Sequence, residues 1–502
     1  MTIYNQGGVN PSALTVPDLY VNVQAPPAVA VNGVPSNIIG IVGTATWGPK
    51  NSPTLISGIS DFTLLFGALQ PRKYDGGTLV AVAQQLGANN FRFVRVTDGT
   101  DTAATATILT NCLTLTSRYT GSGANGDGWA ISAGTAPNSW KITLSRANRA
   151  PETFDNITGT GNAFWVNAAA AINNGQSASR ARSDLVIASA GAGTTAPAAS
   201  TGTLAGGTDG TTTITSSVLV GADTTPRTGM YALRGTGAAL FALADCDDYA
   251  TWGTQLTFAL SESMQAAATA PASETIANFT TSNTQDNPWI KPLFGDWVYW
   301  LDTINNITRL VSPQGFYLGE KAVIGVEQSV LNKPLPNVVG TQKSYANQVY
   351  SAPELQALAA ARCDVIANPC PGGSYFGFRF GRNASSDQVR HQDSYTTLTN
   401  YIATTLNAGS GKFVGRLLTP TEMREAKSTI DAFLFNMWQA GQIGNAAGTV
   451  PYSTTITSGQ AGAGTQKAKV MVQYFDVVEY FLVDLTGGAS VQIVSAAQFA
   501  AA

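Results

Sequence analysis

A single histidine, His391, stands in the 502-residue chain, two positions before Asp393. An imidazole beside a carboxylate is half of a general acid–base arrangement, but nucleophilic catalysis also needs an activated hydroxyl or thiol. No GxSxG elbow accompanies the pair, so His391 and Asp393 read as a solvated polar turn. The segment Asn407-Ala408-Gly409-Ser410-Gly411-Lys412 has the look of a phosphate loop. Its first glycine position falls on Leu406, and the hydroxyl that should follow the lysine is Phe413. Gly40-Ile41-Val42-Gly43 sits in an apolar run without the acidic residue and helix of a dinucleotide fold. Asp245, Asp247 and Asp248 cluster without the spacing or glycine of a calcium loop and suit the start of a helix or turn. The cysteines, Cys112, Cys246, Cys363 and Cys370, form no CxxC and read as buried structural thiols. From these residues we expect no catalytic site, no bound cofactor and no metal.

Charge is scarce. The chain has 28 basic and 31 acidic residues, a net charge of −3, and only 12% charged positions. That balance disfavours nucleic-acid binding through a basic surface and leaves little self-repulsion to oppose association. Against this background one cluster stands out: Glu422, Arg424, Glu425, Lys427 and Asp431. It lies on a predicted helix that Thr419 caps, Pro420 opens and Glu422 completes as a capping box. Met423, Ala426, Ile430, Phe433, Leu434, Met437 and Trp438 give that helix an apolar face, and Gly441 ends it. The charged side is either an ordinary solvated face or a docking face for a charged partner.

Other elements position these residues. Ile38 to Gly43 predicts a strand buried on both faces. A short helix from Ser60, a helix over Thr78–Leu86 and a strand over Phe91–Val96 follow, which gives α/β order. Residues 99–225 change character: Thr, Ser, Gly and Ala dominate, and strand-like bursts at Leu113–Thr116, Trp140–Leu144 and Leu185–Ile187 are separated by glycine turns. They read as an inserted β-rich domain, a sandwich or barrel, with Ser189–Thr203 as a loop. After Gly229 the α/β pattern resumes. Ser351 and Glu354 form a capping box, and the helix behind it carries Leu355, Leu358, Ala359, Arg362, Cys363 and Ile366. Tyr395, Leu398, Tyr401, Ile402 and Leu406 keep helical spacing. Val470, Val472 and Tyr474 alternate as a strand, and Val477–Leu485 reads as a second extended run.

The ends look alike. Leu19, Val21 and Val23 alternate with Tyr20 and Asn22, while Val491, Ile493 and Val494 form a last short strand. Each is a lone strand with no local partner beside a glycine-marked linker, which suits donation to another subunit. The N-terminus has neither a basic region nor an apolar core, so no signal peptide is expected, and no stretch is long enough for a membrane span.

Taken together, these segments resemble contractile tail sheath proteins. The resemblance rests on Gly43-Thr44-Ala45-Thr46-Trp47-Gly48-Pro49, Ser60-Asp61-Phe62, Leu65-Phe66-Gly67 and the Phe91–Val96 strand. It continues through Tyr119-Thr120-Gly121, Trp129-Ala130-Ile131, Glu152-Thr153-Phe154, Gly206–Gly210, Thr228–Leu233 and Tyr375-Phe376-Gly377. The order of these segments, spread over most of the chain, is the specific part.

The resemblance implies a multi-domain, mixed α/β fold with a subtilisin-like core that lacks a catalytic triad. The expected layout is a linking arm (1–20), core (21–98), inserted β-rich outer domain (99–225), core (226–380), C-terminal α+β domain (381–486) and second arm (487–502). It implies a structural subunit, not an enzyme, stacked as hexameric rings in a helical sleeve around a tail tube protein, with baseplate and tail terminator proteins at its ends. The sleeve would contract to drive the tube through a host envelope. Its place would be the virion tail, after synthesis in the host cytoplasm, without nucleic acid or membrane insertion. Leu19, Tyr20, Val21, Val23, Val491, Ile493 and Val494 would be the inter-subunit arm strands. Glu422, Arg424, Glu425, Lys427 and Asp431 would face the tube. The alternative function is a β-rich self-assembling surface-layer or adhesin protein.

Overall fold

The computed structural model describes residues 3–5, 20–22, 33–178, 180–459 and 464–483. The fold is mixed α/β and contains several sheets. Its centre is a six-stranded sheet in the order Ile290–Leu293, Gln265–Thr269, Leu240–Leu243, Ile39–Gly43, Phe91–Arg95, Thr54–Ile56. The first five strands are parallel, and Thr54–Ile56 runs antiparallel on Phe91–Arg95.

Alternation sends the strand side chains into two separate cores. Ile39, Ile41, Phe91, Phe93, Leu240 and Ala242 face one core, together with Phe62, Phe66, Leu79, Val82 and Phe316. These come from the helices Ile59–Phe66, Gly76–Gln85 and Gln314–Val323. Val42, Val94, Phe241 and Leu243 face the other, against Trp252, Phe258, Phe279 and Leu358. Those come from Trp252–Glu262, Ile276–Ser282 and Ala352–Ala360. A sheet covered on both sides needs continuous apolar strands, and Ile39–Gly43 is buried at every position. The helix Gly76–Gln85 can start so close to the sheet because its first residue lacks a side chain: a Cβ on Gly76 would lie 2.1 Å from the Phe93 ring.

Residues between Ala104 and Leu204 build a third core. One antiparallel sheet runs Glu152–Ile157, Trp140–Ser145, Gly128–Ala133, Ser200–Thr203; another runs Val186–Ala190, Leu113–Ser117, Thr105–Ile108. The helix Asn162–Asn174 belongs to the same core through Phe164, Trp165, Ala168 and Ile172. Sequence reading misses this helix, and it mistakes the ends of Ser189–Thr203 for loop. Ser189 and Ala190 pair with Thr114 and Leu113, and Ser200–Thr203 pairs with Gly128–Ile131. Small residues hide strand character, since the partner backbone and not the side chain decides it.

The stems of this region meet. Asp98 N donates to Gly210 O at 2.8 Å, and the Asp98 carboxylate accepts from Thr213 N (2.9 Å) and Oγ1 (3.0 Å). Thr102 pairs with Thr208 in an antiparallel bridge. Beside them Arg95, fully buried, donates to Ala45 O (3.2 Å), Gly48 O (2.8 Å), Thr120 O (2.8 Å) and Asp209 O (3.4 Å). Burial lowers the pKa of this guanidinium to about 10.

A fourth core joins Leu398 and Ile402 of the helix Asp393–Ser410 to Ile430, Phe433, Leu434 and Met437 of the helix Pro420–Gln439. The hairpin Tyr452–Ser458 and Gln466–Val472 covers it.

Some local expectations need correction. The helix begun by the Ser351–Glu354 capping box ends at Ala360, so Cys363 lies beyond it. Arg362 adopts a left-handed conformation, φ 59°, which stops the helix. Thr419 caps the Glu422 amide, but the Glu422 carboxylate does not complete a box because it pairs with Arg416. Val477–Val483 forms no strand and has no ladder partner among the described residues, and Asp484 and Leu485 lie outside them.

Candidate assembly surfaces

Among the described residues no group of three or more His, Cys, Asp or Glu side chains could hold a metal ion. The four cysteines are buried and free. The motifs weighed for chemistry occupy ordinary structural positions. Asn407–Lys412 is the end of the helix Asp393–Ser410 running into a 3-10 turn, not a loop ahead of a helix. Asp248 caps the turn Tyr249–Thr251, Asp247 pairs with Lys73 at 2.8 Å, and buried Asp245 accepts from Tyr74 N at 3.3 Å. His391 and Asp393 part company. Asp393 is buried near Lys291, with 3.8 Å between them, and Lys291 also pairs with buried Asp364 at 2.6 Å. His391 is not a solvated turn residue: its Nε2 lies 2.6 Å from Glu479 Oε1 and its side chain is 16% exposed.

The predicted arm strands fall partly within the description. Tyr20 and Val21 lie in a strand, Tyr20–Asn22, that pairs in parallel with Ile3–Asn5. This N-terminal strand is therefore not without a local partner, as its flanking sequence suggested. Leu19, Val23, Val491, Ile493 and Val494 lie outside the described residues.

The charged face of Pro420–Gln439 is exposed and internally paired. Glu422 and Glu425 share Arg416, at 3.1 and 3.3 Å, and Lys427 pairs with Asp431 one turn on. These carboxylates raise the Arg416 pKa, chiefly through the hydrogen bond to Glu422. Arg424 instead donates to Pro420 O at 3.2 Å. Sequence reading missed Arg416, which comes from the preceding loop and so has no helical spacing to announce it. Around it the loop presents Val414 and Leu417, the latter 82% exposed, beside a groove of about 440 Å³.

The second apolar surface is the segment after the hairpin. Phe475, Val478, Tyr480, Phe481, Leu482 and Val483 are exposed, Leu482 by 89%. One polar contact set holds this segment down: Glu479 meets Arg382, His391 and Gln392. Although burial opposes it, these partners depress the Glu479 pKa to about 2.

The open hairpin, the exposed apolar segment and the paired-charge helix lie in one region, and the chain carries the fold of sheath tail proteins. A sheath tail protein from Listeria innocua matches with TM-score 0.61 at 13% identity, over 87% of this chain and 94% of that one. One from Desulfitobacterium hafniense matches with TM-score 0.58 at 14% identity, over 91% and 100%. The helical sheath of the anti-feeding prophage in its contracted state matches with TM-score 0.53 at 11% identity, over 95% and 100%. No protein-family model matches the chain, and no curated protein matches it. No helix among the described residues is long and apolar enough to cross a membrane.

Proposed function

We propose that this chain is the structural subunit of a contractile sheath, assembling as stacked hexameric rings in a helical sleeve around a tube. The observation that carries the reading is the shared fold along 95% of the chain with a subunit described as a helical sheath in its contracted state. The surface favours the same reading. An exposed apolar segment and an open two-stranded hairpin give the subunit edges that a second copy can complete. In this proposal the terminal segments, including Leu19–Val23 and Val491–Val494, link neighbours, and residues 99–225 lie on the outside. Glu422, Arg424, Glu425, Lys427 and Asp431 face the tube, and baseplate and terminator proteins close the two ends. Paired surface charges suit a contact that must later break, since they tune register more than affinity. Contraction would run on free energy stored in subunit packing, with the sleeve falling from a metastable extended form to a lower one.

Electron microscopy of the purified full chain tests this. Hollow sleeves of regular width, formed without nucleotide or metal, are the expected result. Flat lattices would favour a surface-layer protein, and a chain that stays monomeric at high concentration would overturn the proposal.

A further inference from the structure

The helix Asp393–Ser410 touches both ends of the described core chain. On one side, Val34 N donates to Thr405 Oγ1 at 3.2 Å. Gly33 sits so close that a Cβ there would lie 1.7 Å from the Tyr401 hydroxyl. On another side, Tyr474 and Thr399 share a hydroxyl contact at 3.2 Å, and the Tyr474 ring packs edge-on against Tyr395 at 5.7 Å. Just ahead of the helix, Arg382, His391 and Gln392 grip Glu479. Tyr401 and Thr405 are one turn apart, as are Tyr395 and Thr399. With 3.6 residues per turn the two pairs lie about 120° apart around the axis. They flank the Leu398 and Ile402 stripe that faces the fourth core.

Other contacts tie the helix to the edge of the central sheet and to the segment after the helix Gln314–Val323. Thr396 Oγ1 donates to Pro288 O at 2.6 Å, Trp289 Nε1 to Asn400 Oδ1 at 2.7 Å, and Thr397 Oγ1 to Val326 O at 2.8 Å. Pro288 and Trp289 lead straight into the edge strand Ile290–Leu293. The helix is thus bonded to the sheet at its base and to the two chain ends on its flanks.

We infer that Asp393–Ser410 is a common mooring for both linking arms, with Tyr401 and Thr405 positioning the N-terminal root and Thr399, Arg382 and His391 positioning the C-terminal root. This rests on the proposed sheath role, because it assigns the two roots to arms that bind neighbours. A load on either arm then reaches the same rigid rod before it reaches the sheet. The two roots are thereby held at a fixed mutual angle by one rod.

Limited proteolysis of the unassembled full chain by a low-specificity protease, with cut sites and rates read by mass spectrometry, tests the mooring, whether or not sleeves form. Thr405→Val should speed cleavage at residues 34–38 and leave 474–483 unchanged. Glu479→Gln should do the reverse. Ala403 is exposed and makes neither contact, so Ala403→Gly weakens the helix alone. It should speed cleavage at both roots by about fivefold, the factor that matches the usual cost of glycine in a helix. Unchanged resistance at Ile39–Gly43 shows that each variant is folded. If Ala403→Gly moves neither root, or only one, the shared mooring is wrong. A chain that moors both roots but never forms sleeves would overturn the sheath role and leave the mooring standing.

Discussion

The central sheet and the helix Pro420–Gln439 spend apolar side chains differently. In the sheet region Phe62, Phe66 and Phe93 pack edge-on or tilted at 4.6–5.5 Å between centroids, and all three are fully buried. On the helix, Ile430, Phe433, Leu434 and Met437 are buried on one side, while Phe435 is 45% exposed and the loop ahead leaves Val414 and Leu417 open. The first region has everything it needs within one chain. The second is finished on one face only, and its polar face is held by ion pairs with each other. Packing and exposure are thereby separated: the sheet is enclosed by its own chain, and the C-terminal region leaves apolar surface open.

The largest expected effect lies in the sheet. Phe93→Ala should destabilise the subunit by about 3–5 kcal/mol, as large aromatic truncations in cores do. Phe435→Ala should cost under about 0.5 kcal/mol, an ordinary surface effect. Urea denaturation of the two variants reads the contrast directly, and equal losses would erase it. Next comes Lys291→Met, which strands the buried Asp364 and Asp393 carboxylates and should cost about 3 kcal/mol. Because it sits where the sheet edge meets the helix Asp393–Ser410, it should loosen both regions together. Loss of only the C-terminal transition in calorimetry would place the pair outside the sheet's cooperative unit.

A smaller effect on folding, with a larger one on assembly, is expected from Arg424→Glu with Lys427→Glu. Exposed pairs are worth about 0–1 kcal/mol, so the melting profile should hardly move. On the proposed sheath role, co-sedimentation with a tube protein should fall, and unchanged co-sedimentation would return the cluster to a solvated helix face. The last effect is pH-dependent. The folded Glu479 pKa, about 2, lies below its ordinary 4.5. The contact therefore adds stability above about pH 4.5 and loses it as pH falls through about 2. Thermal unfolding of the native chain and of Glu479→Gln should differ at pH 5 and converge near pH 2. A constant gap would mean that the carboxylate charge is not what holds the segment.

Which features could be read from sequence follows from where their causes lie. Ile39–Gly43, Phe91–Arg95 and the helix Pro420–Gln439 were legible because periodicity and capping are local. The helix Asn162–Asn174 was readable in principle: Phe164, Trp165, Ala168 and Ile172 keep helical spacing, but an alanine-rich run hid the signal. Arg95 also left a trace, since period-2 alternation puts it on the face of Phe91 and Phe93, where a charge needs partners. The partners themselves, Thr120 and Asp209, were invisible, as were Arg416 for Glu422 and Glu479 for His391. Such contacts join residues far apart in sequence or on irregular segments, and no spacing rule reports them. The pairing of Tyr20–Asn22 with Ile3–Asn5 escaped for a different reason: three residues, Ile3–Asn5, are too few to show an alternating pattern.

The meeting of the stems at Asp98, Thr102, Thr208 and Gly210 has a practical consequence. A region whose entry and exit touch hangs from one place: the core reaches it through the stems and through Trp47 and Arg95, which bond to Ser117 and Thr120. Foreign domains whose own termini lie side by side should therefore graft at its outer turns, such as the exposed residues 136–138, and leave those contacts and the sheet undisturbed. The insertion site can then carry an epitope, an enzyme or a fluorescent reporter, one copy per subunit. In a repeating assembly each graft would be displayed at the spacing of the lattice, which turns the particle into a ruler with regularly placed marks.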